Sequence, residues 1–84
     1  FMHVDENRES ILKKKSKLEE VLKKYPNFRT GYFALASTWL QLHRVGEALQ
    51  VLEYYHTLNP YDPTAEYYLA MIYADRLDYN RAWN

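Results

Sequence analysis

The sequence predicts an all-α fold of antiparallel helix pairs, and three observations lead to this prediction. Apolar residues recur with helical spacing: Tyr32, Leu35, Ala36 and Trp39 lie at i, i+3, i+4 and i+7. Only two Gly and three Pro interrupt the 84 residues, and there are no alternating runs of β-branched residues that would indicate strands. The third observation is an internal repeat.

Residues of the same type recur 34 positions apart along the chain. Pro26 recurs as Pro60, and the small and bulky apolar residues of the central segment recur in the same register. The further pairs are Leu18 and Leu52, Thr30 and Thr64, Leu35 and Leu69, Ala36 and Ala70, Trp39 and Tyr73, and Ala48 and Ala82. A fixed period of this size is typical of an array of stacked helical units.

The predicted helices follow from these patterns in chain order. A leading helix is expected over residues 5–25, and the central unit supplies helices over about 29–42 and 46–58, separated by the polar turn from His43 to Gly46. Pro60 ends the second of these, because proline has no amide to donate. Asp62 is expected to cap a helix over 63–76, and Asp78 is expected to begin another helix that stops after about one turn.

The same spacing predicts which residues form the core. Small residues allow two helices to approach closely, and large apolar side chains fill the remaining space. The set expected to be most buried is Leu35, Ala36, Trp39, Ala48 and Leu52.

At this point residues 10–84 resemble the tetratricopeptide repeat (TPR), a helix-turn-helix unit of the same period. Two departures stand out, namely Tyr55, where the family usually has a small residue, and Glu66, where it has an aromatic one. The resemblance implies a fragment of a right-handed α-solenoid, with residues 1–84 forming one domain: a leading helix (5–25), a complete unit (27–60) and a partial unit (61–84). The residues that carry the resemblance in the central unit are Tyr32, Leu35, Ala36, Trp39, Ala48, Leu52 and Pro60.

The resemblance also implies a function, because stacked units of this family present their first helices on a concave face that binds proteins. The residues expected to line that groove are Thr30, Phe33, Ser37, Leu40, Gln41, Thr64, Tyr67, Tyr68, Met71 and Asp75. Their apolar and aromatic character favours a protein partner that contributes an apolar peptide or helix. The basic clamp with which some TPR domains hold acidic chaperone C-termini is not carried over, since those positions hold Phe33, Ser37, Tyr67 and Met71.

Other classes of function find little support in the sequence. His3, His43 and His56 share no metal-ligand spacing, the two glycines form no phosphate loop, and no catalytic triad pattern occurs, so we expect neither enzyme activity nor a cofactor. Formal net charge is zero, which does not favour nucleic acid as a partner. No apolar run reaches the length of a membrane span and no signal peptide is evident, so a cytoplasmic location is expected.

Three interpretations remain open at this stage: a protein-binding module, a module for self-association into a homo-oligomer, and a non-catalytic part of a larger enzyme or regulator. The second rests on the last full helix. Its face of Leu69, Ala70, Ile72 and Tyr73 is expected to be only partly covered by Leu52 and Tyr55, so that a second copy or another helix would bind there, with Trp83 helping to hold it.

Overall fold

The computed structural model describes the backbone of residues 2–83 and the side chains of residues 8–76. Within this range the chain is all-helical, with α1 at Met2–Lys24, α2 at Arg29–Gln41, α3 at Val45–Leu58 and α4 at Pro63–Trp83. Each helix packs against the next one along the chain. Their connections, residues 25–28, 42–44 and 59–62, are short, as is typical of antiparallel neighbours.

The helix boundaries repeat with the period of the sequence. α2 begins at Arg29 and α4 at Pro63, whereas α1 ends at Lys24 and α3 ends at Leu58, and both pairs of residues are 34 positions apart. The leading helix begins three residues earlier than predicted, at Met2 rather than residue 5. The two central helices agree with the prediction to within one residue at each end.

The turn between α2 and α3 closes on His43 rather than on a glycine. His43 has φ 59°, in the left-handed region. Its amide donates to the carbonyl of Leu40 at 3.0 Å and the amide of Arg44 donates to the carbonyl of Trp39 at 2.9 Å, which is the Schellman pattern. The prediction that Gly46 ends this turn is therefore wrong, because α3 already begins at Val45 and Gly46 lies within it.

The predicted break before Asp78 is absent. α4 continues from Pro63 to Trp83 without interruption, so Asp78 lies inside this helix and does not begin a new one. After Pro63 the segment contains neither Gly nor Pro, and a polar residue that favours a cap does not end a helix by itself. The expected role of Trp83 concerns a side chain outside the described residues.

The core consists of two adjoining clusters of buried side chains. The first is formed by Leu22, Tyr32, Leu35, Tyr55 and Ala65, and the second by Ala36, Ala48, Leu49, Leu52 and Ile72. Four of the five residues predicted as core are confirmed as buried, with Ala48 fully inaccessible and Leu52 only 2% exposed.

The prediction that Trp39 is among the most buried residues is wrong. Its ring packs against both clusters but stays partly exposed at their edge. Lys15 Nζ lies 4.9 Å and Arg44 Cζ 6.0 Å from the ring centroid, so two cations flank the exposed part of the indole. The neighbouring Thr38 is fully buried instead, with its hydroxyl donating to the carbonyl of Ala34 at 2.7 Å.

Gly31 allows α1 and α2 to approach closely. This residue is buried in the first turn of α2, and a Cβ atom added there would lie 2.9 Å from Leu22 Cδ2 and from Phe28 Cδ2. Both distances are shorter than van der Waals contact, so even an alanine methyl would have to displace neighbouring side chains. By contrast, a Cβ at Gly46 meets nothing within 4 Å.

Candidate protein-binding surface

The beginnings of α2 and α4 are joined by a hydrogen-bond network centred on Asp62. Arg29 Nε donates to Asp62 Oδ2 at 2.8 Å, and Arg29 Nη2 donates to Thr64 Oγ1, also at 2.8 Å. The hydroxyl of Tyr55 donates to the same Asp62 oxygen. Asp62 Oδ1 accepts from the backbone amide of Thr64 at 3.0 Å, which makes Asp62 the predicted N-cap of α4. The network therefore sets the position of α4 relative to α2.

The network fixes the protonation states of its members. Hydrogen bonds from Arg29, then Tyr55 and the amide of Thr64, hold the pKa of the Asp62 carboxyl well below its ordinary value of 3.8. Burial of the ring, and then the adjacent Asp62 carboxylate, raise the pKa of Tyr55 above its ordinary 10.0. At neutral pH Asp62 is therefore ionised and accepts, while Tyr55 keeps its proton and donates.

A continuous line of aromatic side chains extends from this network across α2 and α4. Arg29 Cζ lies 5.0 Å from the centroid of the Phe33 ring, whose other contacts are Tyr55 at 5.0 Å and Tyr68 at 5.5 Å between centroids. Tyr68 contacts Tyr67 edge-on at 5.6 Å. These are favourable aromatic separations. Phe33, Tyr67 and Tyr68 are predicted as groove residues from separate segments of the sequence, and the structure places them on one surface.

The remaining predicted groove residues continue this surface along the two helices. Leu40 lies two turns beyond Phe33 on α2, and Met71 lies one turn beyond Tyr67 and Tyr68 on α4. Of the ten predicted residues, Phe33 and Thr64 are half-buried, and the others are exposed: Thr30, Ser37, Leu40, Gln41, Tyr67, Tyr68, Met71 and Asp75. We use the name aromatic surface for Phe33, Leu40, Tyr67, Tyr68 and Met71.

Phe33 belongs to the core as well as to the aromatic surface. It packs against both buried clusters and edge-on against Tyr55, which is only 2% exposed. Truncation of Phe33 is therefore expected to reduce the stability of the domain as well as to change the surface. Tyr67, which is 63% exposed, is the better probe of the surface.

Sequence reasoning missed the part played by Tyr55 and Arg29. The sequence predicts Tyr55 as a bulky residue that partly covers the following helix, but it does not predict that the ring contacts Tyr32 and Phe33 or that the hydroxyl binds Asp62. Arg29 had no local signal, because its partner Asp62 lies 33 residues away. The available clue in the sequence is that position 55 holds a tyrosine where the resemblance implies a small residue.

A separate cleft lies on the opposite side of α2, where Tyr32 and Leu35 form its floor. Its volume is about 670 Å³, and its walls include Lys23 of α1 and Gln50 and Tyr54 of α3. With 100° between successive residues of a helix, Tyr32 and Leu35 point away from the direction of Ser37 and the rest of the predicted groove. This cleft is therefore distinct from the aromatic surface.

Among the described residues, no group of three or more His, Asp and Glu side chains is arranged to hold a metal ion. No helix in the same range is both long and apolar enough to cross a bilayer. Comparison of the chain with protein-family models, curated proteins and solved structures found no match.

Proposed function

We propose that this chain is a TPR-type protein-binding module, and that the aromatic surface receives an apolar peptide or helix of its partner. Two features support the assignment to helical repeats: the recurrence of residues at 34 positions and the recurrence of helix boundaries at the same interval. In such an array α2 and α4 are the first helices of consecutive units, which together line the binding face.

The observation that carries the proposal is the exposure of large apolar side chains on α2 and α4, which are joined by the contact between the rings of Phe33 and Tyr68. Leu40 of α2 and Tyr67, Tyr68 and Met71 of α4 are between 38% and 63% exposed. Covering apolar surface contributes about 25 cal/mol per Å². Aromatic rings and methionine are typical anchors of interfaces that accept apolar segments.

The charges near the surface also favour an apolar partner over an acidic one. Arg29 already binds Asp62 and Thr64, and Asp75 adds a negative charge at the far end of the predicted groove. A partner carboxylate would therefore have to compete with Asp62 for Arg29. For an apolar segment on a surface two helices wide, we expect dissociation constants on the order of 1–100 μM.

The test is selection from a random peptide library with the purified chain, followed by calorimetric titration of the enriched peptides. Enriched peptides should carry apolar anchors, and Tyr67→Ala or Met71→Ala should weaken binding by about tenfold, the equivalent of 1.4 kcal/mol. Tyr61→Ala is the matched control, because Tyr61 is 96% exposed and lies outside the aromatic surface. Binding that is unaffected by both surface variants, or equally affected by the control, would refute the proposal.

A further inference from the structure

One face of α4 is exposed, although the residues 34 positions earlier, on α2, pack in the core or beside it. Ala36 of α2 is 3% exposed and packs in the cluster that contains Ala48 of α3, and Trp39 packs beside it. The residues 34 positions later, Ala70 and Tyr73, are both exposed.

Among the described helices α3 makes the main contact with α4, and α2 reaches only its first two turns, at Thr64 and Tyr68. α3 covers the side that carries Ala65 and Ile72, so the expectation that Ile72 is only partly covered is wrong, because its side chain is 7% exposed. The Tyr73 hydroxyl donates to Glu53 Oε1 of α3 at 3.5 Å, but its side chain remains 45% exposed.

The exposed face is a narrow line of five residues, which we call the α4 strip: Glu66, Leu69, Ala70, Tyr73 and Arg76. Their spacing of three, one, three and three residues keeps them on one side of a helix. Leu69 is half-buried against the second cluster, and the other four are exposed. The strip therefore combines an apolar centre with one acidic and one basic end.

Because the acidic end, the apolar centre and the basic end follow one another in this order, the α4 strip is complementary to the same strip of a second, antiparallel copy. When two copies of α4 pack antiparallel about a two-fold axis at the level of Met71, Glu66 of each copy faces Arg76 of the other. Leu69 faces Tyr73 in the same register, because both pairs have residue 71 as their midpoint. Glu66 and Arg76 lie about 15 Å apart along one helix, so the two ion pairs flank the apolar centre.

A head-to-tail contact, in which α1 of another copy packs on α4 as α3 packs on α2, is disfavoured by charge. The α3 residues Ala48 and Leu49 are 0% and 5% exposed, whereas the residues 34 positions earlier in α1 are Lys14 and Lys15. Packing α1 in this manner would bury lysines where α3 buries small and apolar side chains, at a large desolvation cost. A two-fold contact avoids this cost and closes after two copies.

We propose that a second copy of this chain covers the α4 strip, with the two α4 helices antiparallel and Glu66 of each paired with Arg76 of the other. One helix face per copy is less than the roughly 800 Å² per partner of a standard interface. We therefore expect a weak, reversible dimer, with a dissociation constant on the order of 10–100 μM. The contact is separate from the aromatic surface and does not depend on the function proposed for it.

The experiment is sedimentation velocity of the 84-residue chain from about 1 to 500 μM, with circular dichroism to confirm that each variant is folded. Glu66→Arg and Arg76→Glu each place like charges together twice in the dimer, and each should weaken dimerisation at least about tenfold. The double variant restores opposite charges and should return the dissociation constant to within about threefold of the parent value. Tyr73→Glu should abolish the dimer, whereas Tyr61→Glu, its fully exposed counterpart outside the strip, should not.

Each other outcome overturns the proposal. A monomer at about 500 μM would show that the strip needs no second copy. Species that grow beyond a dimer would indicate head-to-tail contacts through α1. A dimer that resists Tyr73→Glu, or a double variant no better than the single ones, would place the contact elsewhere.

Discussion

Replacing Ala48 with leucine tests how closely α2 and α3 pack. Ala48 is completely inaccessible and its cluster brings together residues of three helices, namely Ala36 of α2, Leu52 of α3 and Ile72 of α4. A leucine adds three carbon atoms to a site without free surface, so neighbouring side chains must leave their preferred rotamers or the helices must separate. Overpacking of this kind costs about 1–3 kcal/mol. In a domain of this size, each kcal/mol lowers Tm by about 4–8 °C.

We therefore expect Tm to fall by at least about 4 °C, and by about 12 °C in the middle of the range. The assay is thermal unfolding followed by circular dichroism at low protein concentration. The matched control is Ala74→Leu, which makes the same chemical change at an exposed position of α4 and should leave Tm nearly unchanged. If Ala48→Leu and the Ala74→Leu control have the same Tm, α3 does not pack against α2 in the way the structure shows.

Two further predictions concern the helix contact at Gly31 and the network at Asp62. Gly46→Ala should raise the unfolding free energy by up to about 1 kcal/mol because alanine favours the helix, whereas Gly31→Ala should lower it because the added methyl meets Leu22 and Phe28. Chemical denaturation measures both changes. A Gly31→Ala variant more stable than the parent chain would contradict the close approach of α1 to α2. Because folding lowers the pKa of Asp62, its contribution to stability should be complete above about pH 5 and decline as the pH falls through and below its ordinary value of 3.8. The difference in Tm between the parent chain and Asp62→Asn should therefore shrink from pH 7 towards pH 3, and a constant difference would show that the carboxylate is not held by this network.

The sequence alone was sufficient for the features that depend on local structure. Helical spacing and the scarcity of Gly and Pro predicted the helices, and the position of Pro60 predicted the end of α3, because these signals act over one or two turns of the chain. The burial of Leu35, Ala36, Ala48 and Leu52 was also predictable, since one face of an amphipathic helix must be covered. Local signals were less reliable at Asp78, where a favourable capping residue suggested a boundary that a continuous helix does not need.

Only the tertiary structure decided the features that depend on residues distant in sequence. Asp62 could be recognised as a cap, but its bonds to Arg29 and Tyr55 arise because packing brings the ends of three helices together. Phe33 shares the spacing of an exposed groove residue, yet the ring of Tyr55 beneath it makes it part of the core. The period of a helix specifies the direction of a side chain, whereas its burial depends on what the neighbouring helices place in that direction.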